Sequence, residues 1–318
     1  MTHPVLSILV ISYNTREMTL ACLRSVIAQT KTPFELIVLD NASADGSAEA
    51  IAAEFVGIFP GITLLAETQN HGFARANNIA AKHARGEYIL LLNPDTVVLD
   101  GALDKLLAFA KRVPQAKIWG GRTVFGDGSL NASSCWRRMD MWSLFCGATG
   151  LSSIFRGSAI FNPEAYGGWD RMSEREVDIV TGCLFLMTRP DWDALGGFDP
   201  AFFMYGEEAD LCLRARKVIG ARPRVTPEAV IIHYNGASQT VRADKMVRLL
   251  RAKHDLIGRH FPAWQRPLAS ALFAANPASR RLAFGLAVRS GLRPKAAESA
   301  RVWDEIWARR KEWRTAIG

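Results

Sequence analysis

The feature that most constrains the fold is an alternation of short apolar runs with longer amphipathic stretches in the first half of the chain. Four apolar runs have the length and composition of buried strands, at Val5–Ile11, Phe34–Leu39, Ile62–Leu65 and Tyr88–Leu92. Four stretches show helical patterns, at Arg16–Gln29, Ala48–Phe55, Ala74–Ala84 and Ala102–Arg112. This alternation predicts an α/β fold in which helices flank a mostly parallel central sheet.

Length, cysteine spacing and the first residues narrow the class of protein. A chain of 318 residues can hold a large α/β domain with a substantial core. Its five cysteines are scattered without a CxxC pair, which fits neither a zinc site nor a disulfide framework and indicates a reducing compartment. The opening MTHPVLSILVISYN lacks a basic n-region, and no apolar run approaches the roughly 18–20 residues of a membrane span. We therefore expect a cytoplasmic protein.

The net charge of +8 is unevenly distributed and suggests two regions. Residues 240–318 carry 17 Lys/Arg and 6 Asp/Glu, whereas residues 1–239 carry 22 and 25. We expect an α/β domain over residues 1–239 and a basic, Trp-containing helical region over 240–318. Within the first, residues 125–175 are rich in Gly, Ser and aromatic residues without a clear period, and we expect a lid or an acceptor-facing segment there.

The basic region ends in a predicted amphipathic helix, ESARVWDEIWARRKEWR. Trp303, Ile306 and Trp307 share one face of this helix, with arginines around them. Such a face can lie on an anionic membrane surface, which would make the protein peripheral on the inner face of a membrane. It can equally pack on its own domain or on a sister subunit of a homo-oligomer, and the sequence leaves all three open.

Polar residues follow the predicted strands where each strand ends. They are Ser12-Tyr13-Asn14, Asp40-Asn41, Asn70-His71-Gly72 and Asn93-Pro94-Asp95. The carboxyl ends of parallel strands meet at one edge of a sheet, and ligands bind there in α/β folds. We therefore expect the functional site at this edge.

Several nucleotide and hydrolase motifs are missing from the chain. It has no GxGxxG after the first strand and no GxxxxGK[ST], which argues against nicotinamide dehydrogenases and P-loop phosphotransferases. It also has no GxSxG elbow and no HExxH. Carboxylates, amides and one histidine at strand ends remain as candidate functional groups.

Three of these groups suit a nucleotide and a metal ion. Asp40 can accept from a ribose hydroxyl or a base N–H, although it can also cap the segment after it. Asp95 can hold Mg²⁺ or Mn²⁺, which take one or two ligands from the protein and the rest from phosphate and water. His233, at the end of the last predicted strand (Ala229–Ile232), could add a nitrogen ligand, but a lone histidine is more often structural.

Glu207, Glu208 and Asp210 form the densest acidic cluster in the chain, after the aromatic run FFMY. Acidic residues in the first turn of a helix are favoured by the helix dipole alone. Beside an apolar surface they also suit a general base, because partial desolvation raises a carboxylate pKa.

Taken together, several sequence blocks resemble the inverting family 2 glycosyltransferases of GT-A fold, and they are most similar to the rhamnosyltransferase-like branch. In chain order the blocks are SILVISYNT, LIVLDNASADGS, NHGFARANN, LLLNPDTVV, VTGCLFLMTR, GGFDPAFFMYGEEADLCLRA and IHYNGAS. They cover residues 5 to about 240 and leave out the basic region. The resemblance implies a Rossmann-like sheet and an enzyme that transfers a sugar, with rhamnose favoured by the branch. The donor would be a dTDP- or UDP-sugar, and the acceptor a hydroxyl of a glycan or a lipid-linked molecule.

The resemblance also implies roles for individual residues. Those that would hold the base and ribose are Ser12, Tyr13, Asn14, Asp40 and Asn41. Those that would line the nucleotide and sugar are Asn70, Gly72, Phe73 and Asn77. Asn93-Pro94-Asp95 stands at the DXD position of the family, with Asp95 as ligand of a divalent metal (Mg²⁺ or Mn²⁺) on the donor diphosphate. Asn93 departs from the usual aspartate there.

For the end of the domain, the resemblance implies a metal contact and a base. His233 matches a late metal or phosphate contact. Glu208 occupies the second position of the acidic pair, where the family has its base. Because a glutamate is longer than the usual aspartate, Asp210 and Glu207 stay open as alternatives.

Two other functions compete with this prediction. A sugar nucleotidyltransferase would need a Gly-rich loop with Arg or Lys after the first strand, but Ser12–Arg16 contains no glycine. A non-catalytic carbohydrate- or nucleotide-binding protein would have no need of Asp95, the three acids and His233 together. We expect no nucleic-acid partner.

Overall fold

A mixed sheet of ten strands organises most of the chain. The computed structural model describes residues 3–234, 242–290 and 296–314. The strands are β1 (Leu6–Ser12), β2 (Phe34–Asp40), β3 (Ile62–Ala66), β4 (Tyr88–Leu92), β5 (Thr96–Val98), β6 (Ile118–Val124), β7 (Leu130–Asn131), β8 (Cys135–Trp136), β9 (Arg175–Glu176), β10 (Ile179–Val180), β11 (Leu184–Thr188) and β12 (Arg224–His233). The strands β8 and β10 form a separate two-stranded sheet.

Twelve α-helices accompany these strands in the described residues. They are α1 (Arg16–Gln29), α2 (Ser47–Phe55), α3 (Gly72–Ala81), α4 (Ala102–Arg112), α5 (Met141–Thr149), α6 (Leu151–Ile154), α7 (Arg189–Leu195), α8 (Glu207–Val218), α9 (Arg242–His260), α10 (Arg266–Arg289), α11 (Ala296–Ala308) and α12 (Arg310–Arg314). Among the described helices, none is long and apolar enough to cross a membrane.

Strand direction places the predicted site residues at one edge of the sheet. The strand order is β3-β2-β1-β4-β11-β6-β12-β5, with β7 on β6 and β9 on β12. β1 pairs in parallel with β2 and β4, and β2 pairs in parallel with β3. β11 is antiparallel to both β4 and β6, and β12 is parallel to β6, so β12 runs in the direction of β4. The carboxyl ends of β1 to β4 and of β12 therefore share an edge, and the predicted α/β fold is confirmed.

The sequence pattern explains why the first strands lie in the middle of the sheet. β1 reads LSILVIS and is buried along its whole length, and β2 is buried from its second residue onward. Parallel strands with helices on both faces read as continuous apolar runs rather than as alternating ones. The predicted bounds of the first four strands and helices agree with the structure to within a few residues.

The strand β6 was not predicted, although it lies inside the sheet. Its sequence IWGGRTV contains two glycines, which weaken the pattern of a strand. A Cβ on Gly121 would lie 2.2 Å from the backbone oxygen of Ala229, and one on Gly120 would lie 2.5 Å from Val180 Cγ1. The glycines therefore permit the close approach of β6 to its neighbours, and this spacing is a tertiary property.

The last strand of the sheet is longer than the sequence predicts. β12 begins at Arg224, whereas the apolar run begins at Ala229. The pairing of β12 with β6 shifts register between Val225 and Val230, around Pro227. A proline has no backbone N–H to donate to a ladder, so the strand continues past it only through such an irregularity.

The chain divides into two compact units. We call the first, residues 1–136, 170–203 and 207–238, the sheet unit, and the second, residues 137–169, 204–206 and 239–318, the helical unit. The sequence-based boundary between residues 239 and 240 lies outside the described residues and stays a prediction. Residues 125–175 are described and contain α5 and α6, and their role as a lid or acceptor-facing segment also stays a prediction.

Each unit has its own apolar core. In the sheet unit, buried residues of the sheet pack against α1, α2 and α4. In the helical unit, the core joins α5, α9 and α10 with the end of the chain: Ile306 and Trp313 are buried, and Trp303 and Trp307 pack against them. The apolar face of the C-terminal helix therefore packs on its own unit, which is one of the three possibilities left open by the sequence.

A buried carboxylate ties β2 to the loop before β4. Glu35 accepts hydrogen bonds from Ser7 Oγ (2.7 Å), from the backbone N–H of Arg85 (2.6 Å) and from Arg85 Nε (2.9 Å). Burial alone would raise the pKa of Glu35, but these hydrogen bonds outweigh it and hold the pKa below the usual 4.5.

We predict that Glu35→Gln lowers the free energy of unfolding by about 1–3 kcal/mol at neutral pH, because charge-assisted hydrogen bonds to a buried group are lost. A lowered pKa contributes stability that is present above the unfolded-state pKa and is lost as pH falls through the folded-state pKa. The difference from wild type should therefore shrink in acid. Urea unfolding at several pH values measures it.

Glu54→Gln is the matched control, since Glu54 pairs with Arg24 on the surface. We expect it to cost under about 1 kcal/mol. Equal costs for the two variants would contradict the structural role of Glu35.

Candidate active site

The carboxyl end of β2 presents a buried acceptor atom. Asp40 is buried, and its Oδ2 accepts a hydrogen bond from the backbone N–H of Ser43 at 2.9 Å. Its Oδ1 is buried and has no hydrogen-bond partner among the described residues. An unsatisfied buried acceptor is costly unless a ligand completes it. Asp40 thus stabilises its own turn, as the sequence allowed, and also has one oxygen available for a donor group.

The turn after β1 is tied to the turn after β2. Ser12 is buried and its hydroxyl lies 3.0 Å from Thr19 Oγ1, Tyr13 is half-buried, and Asn14 is exposed. Asn14 has a φ of 52°, a left-handed conformation that asparagine tolerates better than most residues. Its backbone N–H donates to Ser43 Oγ (2.9 Å). These contacts fix the position of Tyr13 at the edge of the sheet.

Asn41 and Asn70 form a polar link between the ends of β2 and β3. Asn41 Nδ2 donates to Asn70 Oδ1 (3.0 Å), while Asn41 Oδ1 accepts from the backbone N–H of His71 (2.8 Å). Asn70 Oδ1 also accepts from the backbone N–H of Gly72 (2.8 Å). The structure thus brings Asn41, Asn70 and Gly72 together, and these contacts shape the loop itself.

At the start of α3, the backbone lies very close to the backbone of Phe203. Gly72 has a φ of +75°, and a Cβ there would lie 2.3 Å from the backbone oxygen of Phe203. That oxygen accepts a hydrogen bond from Phe73 N–H (2.7 Å). Asn77 is buried, and its Nδ2 donates to the backbone oxygen of Phe73 (2.9 Å). Only glycine fits at position 72.

Asn93, Asp95 and His233 meet at the carboxyl ends of β4 and β12. His233 Nε2 lies 3.4 Å from Asp95 Oδ1 and 3.4 Å from Asn93 Nδ2, and both Asp95 and His233 are buried. Tyr234 N–H donates to the backbone oxygen of Asp95 at 3.1 Å. The fold therefore brings His233 into one cluster with Asn93 and Asp95, from which it is far apart in the sequence. Within this cluster, we call Asp95 and His233 the Asp95–His233 pair.

The charge state of His233 is set by its neighbours. Burial alone would lower its pKa, but Cys183 and the Asp95 carboxylate favour the imidazolium and raise the pKa to about 10. The raised pKa favours the imidazolium, whose Nε2 lies 3.4 Å from Asp95 Oδ1. A cation that took both groups as ligands would displace the proton, because a histidine ligand must be neutral.

The donor set suits a divalent cation that is also held by a phosphorylated substrate. Asn93 Oδ1 is buried without a hydrogen-bond partner among the described residues, and it belongs to the same cluster as the carboxylate of Asp95. No group of three or more His, Cys, Asp or Glu side chains in the described part of the chain is arranged to hold a metal by itself. Mg²⁺ and Mn²⁺ commonly take one or two protein carboxylates and complete their shell with phosphate oxygens and water. The residues present fit such an ion.

The three acids at the start of α8 have different environments. Glu207 is buried, and burial together with the adjacent Glu208 raises its pKa well above 4.5, which favours the neutral acid. Asp210 is buried and its Oδ2 accepts from Arg214 Nε at 2.6 Å. Glu208 is partly exposed, although its Oε2 is buried. It is the only one of the three acidic residues that is not buried as a whole, and its carboxyl group lies outside the ion pair of Asp210 with Arg214.

Two residues that hold the site in place were not predicted from the sequence. Arg214 donates from its Nη1 and Nη2 atoms to the backbone oxygens of Leu195 and Gly197, both at 2.8 Å. Asn78 donates to the backbone oxygen of Phe198 (2.7 Å) and accepts from its N–H (3.0 Å). The block NHGFARANN contains Asn78, but only the fold shows that Asn78 bonds to the distant Phe198 whereas the adjacent Asn77 bonds locally to Phe73.

The chain matches a family model and aligns with known transferases. The model described as "Glycosyl transferase family 2" matches residues 7–174. The N-acetylglucosaminyl-diphospho-decaprenol L-rhamnosyltransferase of Mycobacterium tuberculosis is 29% identical over an alignment of 309 residues, gaps included, which covers 91% of this chain and 94% of the relative. Rhamnosyltransferase WbbL of Escherichia coli is 31% identical over an alignment of 175 residues, which covers 52% of this chain and 61% of that protein.

A solved structure shares the fold. The mannosyltransferase PcManGT of Pyrobaculum calidifontis, in complex with GDP-Man and Mn²⁺, has a TM-score of 0.59 at 19% identity and covers 98% of this chain and 87% of its own. Sheet order and this likeness agree on the GT-A fold with a helical C-terminal region. The family model spans more than half of the chain, so the chain belongs to glycosyl transferase family 2 and is a transferase, and its relatives include rhamnosyltransferases.

Proposed function

We propose that this glycosyltransferase moves rhamnose from a dTDP- or UDP-sugar to a hydroxyl of a lipid-linked or glycan acceptor, with inversion. The names of two relatives specify rhamnosyl transfer, and one of them specifies a diphospho-polyprenol acceptor. Five buried free cysteines are consistent with a reducing compartment, and we place the reaction at the cytoplasmic side of the cell.

The observation that carries this proposal is the Asp95–His233 pair, together with Asn93, at the carboxyl edge of the sheet. These residues would hold a divalent cation, Mg²⁺ or Mn²⁺, which would neutralise the charge that develops on the departing diphosphate. PcManGT, which shares the fold, has Mn²⁺ and a nucleotide sugar in its structure, which supports the use of a divalent cation here.

Glu208 is the proposed base. In an inverting displacement the acceptor oxygen bonds to the anomeric carbon as the bond from that carbon to the diphosphate breaks, and the diphosphate leaves with the electron pair. A carboxylate must take the acceptor proton. Glu207 favours the neutral acid and Asp210 is held by Arg214, so Glu208 is best placed for this role. We assign Asp210 to positioning the start of α8.

Asp40 is the proposed contact to the donor base, together with Ser12, Tyr13, Asn14 and Asn41. Its unpartnered Oδ1 is an acceptor, as the ring N–H of uracil or thymine requires. Asn70, Gly72, Phe73 and Asn77 would shape the wall beside the nucleotide and sugar, since their hydrogen bonds fix the loop at the start of α3.

Asp95→Ala should lower slow donor hydrolysis by about 10²-fold or more, because several kcal/mol of charge stabilisation is lost. EDTA should have the same effect on the wild type, and Mg²⁺ or Mn²⁺ should reverse it. Release of nucleoside diphosphate from a panel of nucleotide sugars measures both. Asp100→Ala, an exposed aspartate beyond β5, is the control that should leave the rate unchanged. Hydrolysis that survives EDTA would refute the metal assignment.

Glu208→Gln and Glu207→Gln are a matched pair at neighbouring positions. We expect Glu208→Gln to lower kcat of sugar transfer by about 10²–10⁴-fold with little change in the donor KM. Glu207→Gln should have a small effect, since glutamine resembles the neutral acid that this site favours. Steady-state kinetics with dTDP-rhamnose and a lipid-linked acceptor test this. Similar losses in both variants would argue against the assignment.

Asp40→Asn should weaken binding of dTDP or UDP by about 10-fold, because an NH₂ group would replace an acceptor oxygen where the base N–H is expected. The asparagine can still accept from Ser43 N–H, so the fold should be kept. Asp45→Asn is the control in the same loop, since both Asp45 oxygens are already bonded to protein groups. Calorimetry gives the affinities, and equal affinities for wild type and Asp40→Asn would contradict the contact.

A further inference from the structure

The helical unit exposes a group of large apolar side chains around α5 and α6. Its members are Trp142, Phe145, Ile154, Phe155, Ile160 and Phe161, and we call them the aromatic patch. The first five of them count among the exposed large hydrophobic residues, with Ile154 at 71% and Phe155 at 47% exposure. In the described part of the chain, ten of the 17 such residues belong to the helical unit. Contiguous exposed apolar surface of this kind marks an interaction site more often than chance.

The aromatic patch is ordered by its own contacts. Trp142 stacks on Phe145 at 5.5 Å between ring centroids, and Phe155 lies 5.1 Å from Phe161. Trp142 Nε1 donates to the backbone oxygen of Ile160 at 2.8 Å, so the polar atom of the indole is satisfied within the patch. The rings are therefore held in place with apolar faces and edges toward the surroundings.

Two guanidinium groups lie at the border of the patch. Arg156 follows Phe155 directly, and its Nε donates to the backbone oxygen of Ser153 (3.3 Å). Arg280 Nη2 donates to Ser153 Oγ (2.9 Å), and its Nε donates to Asn276 Oδ1 (2.8 Å). Neither guanidinium forms an ion pair with a carboxylate among the described residues.

The two arginines act on each other. Burial lowers the pKa of Arg280, and the charge of Arg156 lowers it further. Like charges placed together without a carboxylate favour an anion beside them. The helical unit as a whole carries 20 Lys/Arg and 8 Asp/Glu in the sequence, so its charge also attracts anionic surfaces.

The tryptophans of the C-terminal helices are not part of the exposed apolar surface of the helical unit. Ile306 and Trp313 are buried in the core of the helical unit, and Trp303 and Trp307 pack against that core. The other large apolar residues exposed in the described part of this unit are Trp264, before α10, and a strip on α10 with Leu268, Leu282, Leu286 and Val288.

We propose that the aromatic patch binds the surface of a bilayer that contains anionic phospholipid. Tryptophan and phenylalanine enter the interface between head groups and acyl chains, and arginines beside them meet lipid phosphates. The proposal is consistent with the lipid-linked acceptor of the proposed function, but binding to vesicles requires no catalysis and is measured separately.

Two double variants with matched exposure test the proposal. The first is Ile154→Glu with Phe155→Glu. The control is Ile58→Glu with Val56→Glu in the sheet unit, where Ile58 is 72% and Val56 48% exposed. Sedimentation with vesicles of phosphatidylcholine and phosphatidylglycerol in equal parts gives the bound fraction. We expect the first variant to bind at least about 10-fold more weakly than wild type and the control to bind like wild type.

Arg156→Gln isolates the electrostatic contribution. We expect about 5-fold weaker binding to the anionic vesicles, little binding of any variant to pure phosphatidylcholine, and weaker binding in high salt. Melting temperature and donor hydrolysis on the same preparations show whether each variant is folded and active. Loss of vesicle binding with normal hydrolysis would support the patch independently of the proposed reaction.

Three results would overturn the proposal. The first is that wild type does not sediment with anionic vesicles, and the second is that the patch variant binds as well as its control. The third is a wild-type dimer in light scattering that the patch variant converts to a monomer, because the patch would then be covered by a second copy of the chain.

Discussion

The parallel pairing of β1 with β2 and β4 is the constraint on which the rest of the structure depends. Parallel strands need crossover helices, so each strand must end at the same edge before the chain turns into a helix. In this chain, Ser12 and Asp40 are directly paired at that edge, and Leu92 is in register with Val10 two residues earlier. The antiparallel β11 then lets β6 and β12 run in the direction of β4, which brings His233 to Asp95.

The same edge contains polar atoms that the protein does not satisfy by itself. Asp40 Oδ1, Asn93 Oδ1 and His233 Nδ1 are buried without hydrogen-bond partners among the described residues. Each such atom costs about 1–3 kcal/mol in a folded protein. Their concentration in one group of predicted site residues is expected where a bound nucleotide sugar and cation would complete the hydrogen bonds. Asn41, Asn70 and Asn77, by contrast, bond to the protein and give the site its shape.

The helical unit shows a different distribution of apolar surface. Its C-terminal helix was predicted to be amphipathic, and the apolar face with Ile306 is used in the core of the unit. The aromatic residues around α5 are exposed instead, next to Arg156. A basic and aromatic composition therefore does not by itself identify the surface that meets a partner, since the tertiary structure decides which of several apolar faces is covered.

The sequence by itself determined the α/β class, most of the first eight elements and the residues at the strand ends. It could do so because continuous apolar runs and polar turns are local properties, and parallel pairing makes their ends converge. It did not reveal β6, because Gly120 and Gly121 are explained only by the approach of Ala229 and Val180. Nor could it rank Glu207, Glu208 and Asp210, since their burial, their mutual repulsion and the Arg214 ion pair exist only in the folded chain. The sequence determines the order of charged, polar and apolar residues, whereas the tertiary structure determines which groups are desolvated and which distant residues are in contact.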